Sequence, residues 1–210
     1  MAKAIVFDLQ GTLVENGVYP SPVKQVRFIL GIRENFHEYV PVFEKLFMTQ
    51  KFDSLSEGFA AVGEHFRVYP PDFVIEKLVG VWNKNKLLSK LFPETIEVLK
   101  ELKKDYKLVL VANIDCFAKD IVEKYSLDQY FDHIFLSCDT GMLKTDKAFF
   151  PMIIEKLGMA ADDLVMVGDS MESDIRSAQT AGIKCVLVDR NNRMSYENRI
   201  SNLSGLKDYL

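Results

Sequence analysis

Cysteine is scarce in this 210-residue chain. The three present, Cys116, Cys138 and Cys185, are odd in number and lack metal-site spacing, which argues against a disulfide framework and for reduced thiols in the cytosol. Long hydrophobic runs are absent, so nothing approaches the length that spans a bilayer. Met1-Ala2-Lys3 leads straight into a strand pattern with no signal-peptide character. Positive charge is not in excess: 26 Lys and Arg stand against 30 Asp and Glu, a net charge of -4. With no basic block or aromatic-basic ladder, this balance speaks against broad nucleic-acid binding. Only three histidines occur, His37, His65 and His133, without ligand spacing. Repeats and low-complexity tracts are missing too. What remains is 48% hydrophobic and 27% charged, the profile of an ordinary globular protein. Its length suffices for one domain with a sizeable core, or a core plus a small inserted domain.

Five short runs are apolar throughout, at 3–9, 107–113, 133–139, 163–169 and 183–189. Runs that do not alternate read as buried parallel strands. Helical patterns lie between the later ones. Pro93-Glu94 opens one, with Ile96, Leu99, Leu102 and Tyr106 on its apolar face. Ala148, Met152 and Leu157 mark another, closing at Gly158, and Ile175, Ala178 and Ala181 a third, closing at Gly182. This alternation predicts an α/β fold, a doubly wound (Rossmann-like) parallel sheet. Residues 16–90 break the rhythm with four helical stretches, about 22–31, 35–48, 54–66 and 71–86. Ser54 with Glu57 forms a capping-box pattern. The expected organisation is a core of 1–15 and 91–210 with an α-helical cap at 16–90.

Open parallel sheets bind ligands at the carboxyl ends of their strands. Asp8, Asn113, Asp139 and Asp169 fall at those ends. Asp8 is followed by Gln10-Gly11-Thr12, and Gly168-Asp169 by Asp174. Carboxylates that converge there suit magnesium, which takes a few of them plus water and phosphate oxygens. A single aspartate at a strand end is usually a turn former or helix cap. The ordered set is a different matter, and Asp8 and Asp169 are the leading magnesium ligands. Lys144, in a loop leading into a helix, could hold a phosphoryl group and keep Asp8 ionised. Lys147 is its near neighbour and competitor.

Four segments in order resemble the motifs of the haloacid dehalogenase superfamily: Asp8-Leu9-Gln10-Gly11-Thr12, the strand ending Ala112-Asn113, Lys144-Thr145-Asp146, and Gly168-Asp169-Ser170 with Asp174. The resemblance spans nearly the whole chain, and one subclass inserts a helical cap where residues 16–90 stand. It implies that Asp8 attacks phosphorus to form an aspartyl-phosphate that water hydrolyses, splitting one hard step into two. It further implies magnesium held by Asp8, the main-chain carbonyl of Gln10, Asp169 and Asp174. Gly11, Thr12, Ala112, Asn113 and Lys144 would bind the phosphate of a small phosphorylated substrate. A monomer is compatible with the chain, and a dimer is left open.

Two positions depart from that pattern. Gln10 replaces a second aspartate that serves the family as general acid and base, and an amide has no ionisable proton near neutral pH. Such a loss costs about 10²–10⁴-fold. Ala112 replaces a hydroxyl residue. Three readings follow: a phosphohydrolase, either specialised for a leaving group that needs little protonation, such as an acyl phosphate, or slow with the proton relayed by water or a cap residue; a carbon–halogen or carbon–phosphorus hydrolase; or a metal- and phosphate-binding module without turnover. A dehalogenase would need a cap arginine, for which Arg27, Arg33 and Arg67 are the candidates. A phosphonate-cleaving enzyme would need a cap lysine, for which Lys51 is considered. Arg33, Lys51, Arg67, Lys84 and Lys86 are basic residues on the expected cap that could reach a substrate, although such residues usually form a solvated face.

Overall fold

A computed structural model describes residues 2–210 of the chain. Its strands are β1 (Ala4–Phe7), β2 (Val14–Glu15), β3 (Lys90–Leu91), β4 (Lys107–Ala112), β5 (His133–Leu136), β6 (Leu164–Gly168), β7 (Lys184–Val188) and β8 (Arg199–Ile200). Six form one parallel sheet in the order β5-β4-β1-β6-β7-β8. The chain starts in the middle at β1, runs outward through β4 to β5, then returns to the other side. That reversal opens a crevice at the carboxyl end of β1.

The strand residues divide by period two, because successive side chains point to opposite faces. Ile5, Phe7, Leu108 and Leu110 enter one apolar cluster; Ala4, Val6, Val109 and Val111 enter the other. Helices cover both faces, so the expected doubly wound α/β core is what forms.

Four helices fill the sequence between β2 and β3: α1 (Pro22–Leu30), α2 (Phe36–Met48), α3 (Leu55–His65) and α4 (Asp72–Leu88). They have a core of their own. Phe47 stacks on Phe43 at 5.2 Å and on Phe59 at 4.8 Å, and meets Trp82 edge-on at 5.0 Å. Two helix starts are set by side chains. Asn35 accepts from the Glu38 amide, and Ser54 from the Glu57 amide at 3.1 Å. Glu57 in return accepts from the Asp53 amide, one residue before the expected partner of a capping box. Where the chain enters and leaves these helices, β2 and β3 pair antiparallel, Val14 with Leu91 and Glu15 with Lys90.

In the rest of the chain, α5 (Thr95–Leu102) and α6 (Asp120–Lys124) pack Leu99, Leu102, Ile121 and Val122 on one sheet face. A short α7 (Ser137–Thr140) follows β5, and α8 (Phe149–Leu157) packs Phe149, Phe150 and Ile153 on the other face. After β6 comes a π-helical turn, Met171–Arg176, which continues into α9 (Ser177–Thr180).

One expectation needs correction. The strand expected at 133–139 stops at Leu136, because the polar residues that follow wind into α7 and end on Gly141 at φ 70°. Asp139 therefore leaves the sheet edge; it is exposed and pairs with Lys119 at 3.4 Å. Beyond β7 the sheet gains β8, and the chain continues into a 3₁₀ helix, Leu203–Tyr209. A two-residue strand is too short to show a pattern. Among the described residues no helix is long and apolar enough to cross a membrane.

Candidate active site

Asp8 follows the last residue of β1, and its amide donates to the Val167 carbonyl at 2.9 Å, which holds it at the crevice. Gly11 turns the chain there with φ +86°, and a Cβ at this position would overlap the Asp169 carboxylate. A Cβ on Gly168 would overlap the Asp174 carboxylate in the same way. Both glycines make room for an acid, and Gly11 also makes a turn. The π-helical turn completes the arrangement. The Ile175 amide reaches back five residues to the Ser170 carbonyl, and the Ser170 amide donates to Asp174 Oδ2 at 3.0 Å. This wider turn aims Asp174 at the crevice, in keeping with the frequent use of π-bulges at functional sites.

One carboxylate oxygen from each of Asp8, Asp169 and Asp174 lies within 4.8 Å of the other two. Lys144 joins them: its Nζ is 2.5 Å from Asp8 Oδ1 and 2.6 Å from Asp174 Oδ1. Lys144 is only 3% exposed, whereas Lys147 lies in solvent. Burial favours the neutral amine, but Asp174 and Asp8 outweigh it and hold the ammonium well above its ordinary range. Burial pushes the Asp8 carboxyl up to about 6, with repulsion from Asp174 in the same sense and Lys144 opposing. Asp169 is raised for the same reasons, burial first and then the charges of Asp8 and Asp174. Three acids against one ammonium leave an excess of negative charge that a cation would relieve.

Three buried polar atoms here have no partner: Asp8 Oδ2, Gln10 Oε1 and Thr12 Oγ1. Buried polar groups are almost always paired, so these three atoms leave hydrogen-bonding capacity open beside the acids. Asn113 is fully engaged, since its Oδ1 accepts from the Lys144 amide at 2.9 Å and its Nδ2 donates to Glu44 at 2.9 Å. Ala112 turns its methyl into the apolar cluster beneath the sheet and offers a phosphate only main-chain atoms.

Two residues escaped the sequence reading. Arg190, just past β7, donates to the Thr12 carbonyl at 2.7 Å and the Gly11 carbonyl at 3.3 Å, pairs with Glu94 at 2.8 Å, and lies over the Phe92 ring. Its position after a strand end was the available signal. Glu44 sits on α2 and looks like one more solvated helix charge, yet it enters the crevice. Burial pushes its carboxyl up, against the Asn113 hydrogen bond and Lys144.

The four helices meet the sheet across a cleft of about 180 Å³ lined by Gln10, Glu44, Asn113, Trp82, Lys86 and Asp115, among others. Trp82 Nε1 donates to Asp115 at 2.9 Å, the Ser137 hydroxyl to the Met48 carbonyl at 2.7 Å, and Lys45 to Asp146 at 2.8 Å. Of the basic residues considered for substrate contact, Arg33, Lys51, Arg67 and Lys84 are exposed. Lys86 lines the cleft and donates to the Phe117 carbonyl and to Asp120.

The family model for haloacid dehalogenase-like hydrolases matches residues 2–182, and the chain belongs to this family. It is a hydrolase by that membership, and its relatives include phosphatases. The glyceraldehyde 3-phosphate phosphatase of Methanocaldococcus jannaschii is 25% identical over 200 residues, covering 90% of this chain and 85% of that one. The 2-haloacid dehalogenase of Pseudomonas syringae superposes with a TM-score of 0.65 at 21% identity, covering 99% of this chain and 97% of the other. A family enzyme of Bacteroides thetaiotaomicron, solved with magnesium and inorganic phosphate, gives 0.64 at 18% identity over 93% of this chain and 98% of its own. The structural likenesses speak to the fold, which dehalogenases and phosphate-binding members share. The choice between chemistries rests on the side chains.

Proposed function

We propose that this protein is a magnesium-dependent phosphohydrolase that acts on a small phosphorylated molecule through Asp8. The observation that carries the reading is the Lys144 ammonium between Asp8 and Asp174, with Asp8 Oδ2 left free beside three converging acids. The donor set fits magnesium: hard carboxylate oxygens, too few to enclose the ion, with the Gln10 main-chain carbonyl as a further ligand. Bound there by Asp8, Asp169 and Asp174, the ion would neutralise charge on the phosphoryl oxygens. Lys144 keeps Asp8 Oδ1 occupied and leaves Oδ2 to attack phosphorus. The bond from phosphorus to the leaving oxygen then breaks, and an aspartyl-phosphate forms. Gly11, Thr12 and main-chain groups near Asn113 would cradle the phosphoryl group, and the unpartnered Thr12 hydroxyl is suited to that task. We read residues 16–90 as a cap that closes the cleft and excludes water, with 1–15 and 91–210 as the core. The relative that hydrolyses glyceraldehyde 3-phosphate supports a small phosphate ester.

None of the residues considered for carbon chemistry lines the cleft. Arg27 is spent on the Glu34 carbonyl, and Arg33, Arg67 and Lys51 point to solvent. The test is turnover of p-nitrophenyl phosphate, whose leaving group departs without a proton. We expect hydrolysis that requires magnesium and vanishes in Asp8→Asn. Turnover unaffected by chelation, or retained in Asp8→Asn, would sink this reading.

A further inference from the structure

Resting on the phosphohydrolase reading, we infer that Glu44, carried on α2 across the cleft, takes over the general acid and base role that Gln10 cannot perform. The argument is one of placement. Gln10 and Glu44 line the same cleft, Gln10 from the loop after β1 and Glu44 from α2. Glu44 connects to the reacting carboxylate in three steps: it accepts from Asn113 Nδ2, Asn113 Oδ1 accepts from the Lys144 amide, and the Lys144 ammonium bonds Asp8. Only one Glu44 oxygen is used in that chain, Oε2. Oε1 takes no part in it, and we assign that oxygen to the leaving group and the water.

The charges around Glu44 are consistent with a proton donor. Burial disfavours its ionised form, Asp174 adds to this, and Lys144 opposes it. Lys86 and Asp115 also line the cleft, but Lys86 is tied to Asp120 and Asp115 to Trp82. Gln10 cannot supply the proton, yet its unpartnered Oε1 can accept a hydrogen bond from a water that Glu44 activates.

The steps balance. As Asp8 bonds phosphorus, the leaving alkoxide takes the Glu44 proton and departs as an alcohol. Glu44, now a carboxylate, receives a proton from the water that attacks the aspartyl-phosphate. The Asp8–phosphorus bond breaks, inorganic phosphate leaves, and Glu44 is again the acid.

Glu44→Gln retains an acceptor for Asn113 and removes only the proton. The experiment compares wild type, Glu44→Gln and Glu44→Gln with Gln10→Asp on ethyl phosphate and p-nitrophenyl phosphate, with magnesium. We expect Glu44→Gln to lose about 10²–10⁴-fold on ethyl phosphate. On p-nitrophenyl phosphate it should release one equivalent of nitrophenolate in a burst and then stall, since the second step has lost its base. Adding Gln10→Asp should restore turnover of ethyl phosphate. Ethyl phosphate turnover within about twofold of wild type in Glu44→Gln overturns the inference and spares the phosphohydrolase reading. A loss equal on both substrates, without a burst and without rescue, also overturns it, because Glu44 would then only position Asn113. A wild-type chain inert toward both overturns the reading and the inference together.

Discussion

At the sheet edge, the three acids of the site are placed by the backbone. Asp8 follows β1, Asp169 follows β6, and Asp174 is aimed by a π-helical turn, with Gly11 and Gly168 clearing the space between them. Across the cleft, the helical unit contributes single side chains from regular helices. Glu44 projects from α2, and Trp82 and Lys86 from α4. The first region is electrostatically frustrated, with three acids around one ammonium. The second has an aromatic core and reaches the first through a few hydrogen bonds. On the proposed reading the nucleophile and the metal-binding acids belong to the sheet edge, while the helices would contribute Glu44 and the shape of the cleft.

Removing Lys144 strikes the first region hardest. Lys144→Met leaves Asp8 and Asp174 facing each other without a counter-ion. Breaking a buried pair in this way costs about 3–5 kcal/mol. Turnover should be lost, and urea unfolding should show the destabilisation shrinking when magnesium is added, because a ligand that binds only the folded state stabilises it. If magnesium brings back no stability, the acids are not its ligands.

Phe47→Ala attacks the second region alone. Its ring sits between Phe43, Phe59 and Trp82, so a cost of about 3–5 kcal/mol is expected. Hydrogen exchange should rise first in α2, α3 and α4, while β1, β4 and β6 stay protected and magnesium still binds. Equal loss of protection in the sheet would mean that the two regions form one cooperative unit, and the comparison would fail.

Arg190→Met is the mildest test. It deletes the bonds to the Gly11 and Thr12 carbonyls and the partly buried pair with Glu94. About 1–3 kcal/mol of stability should go. The Asp8 loop should loosen, and magnesium affinity should fall more than in Phe47→Ala. Unchanged affinity would remove Arg190 from the account of how that loop is held.

The contrast between the regions also explains what could be read from sequence. Strand ends are encoded locally, since an apolar run that stops at an acid and a glycine states its own geometry. Asp8 and Asp169 were visible for that reason, Lys144 stood out through its place in the family's motif order, and the four helices were placed within two residues of their ends. Asp139 misled because the run before it looked like its neighbours, while the helical turn of α7 carries only a weak local signal. Glu44 was invisible for another reason. On a helix with Tyr39, Phe43 and Phe47 buried, a remaining charge is expected to face water. That it faces the cleft depends on how α2 docks against a sheet whose Asn113 is 69 residues away.

The amino-acid sequence alone therefore determined a parallel sheet, its acidic carboxyl edge, and the helices inserted after the first strand. Periodicity and turn residues act over a few neighbours and need no partner. The tertiary structure decided that Arg190 grips the Asp8 loop, that Asn113 joins Lys144 to Glu44, and that Gln10 and Glu44 line one cleft. Each of these contacts joins segments distant in sequence, and packing alone sets which side chains then meet.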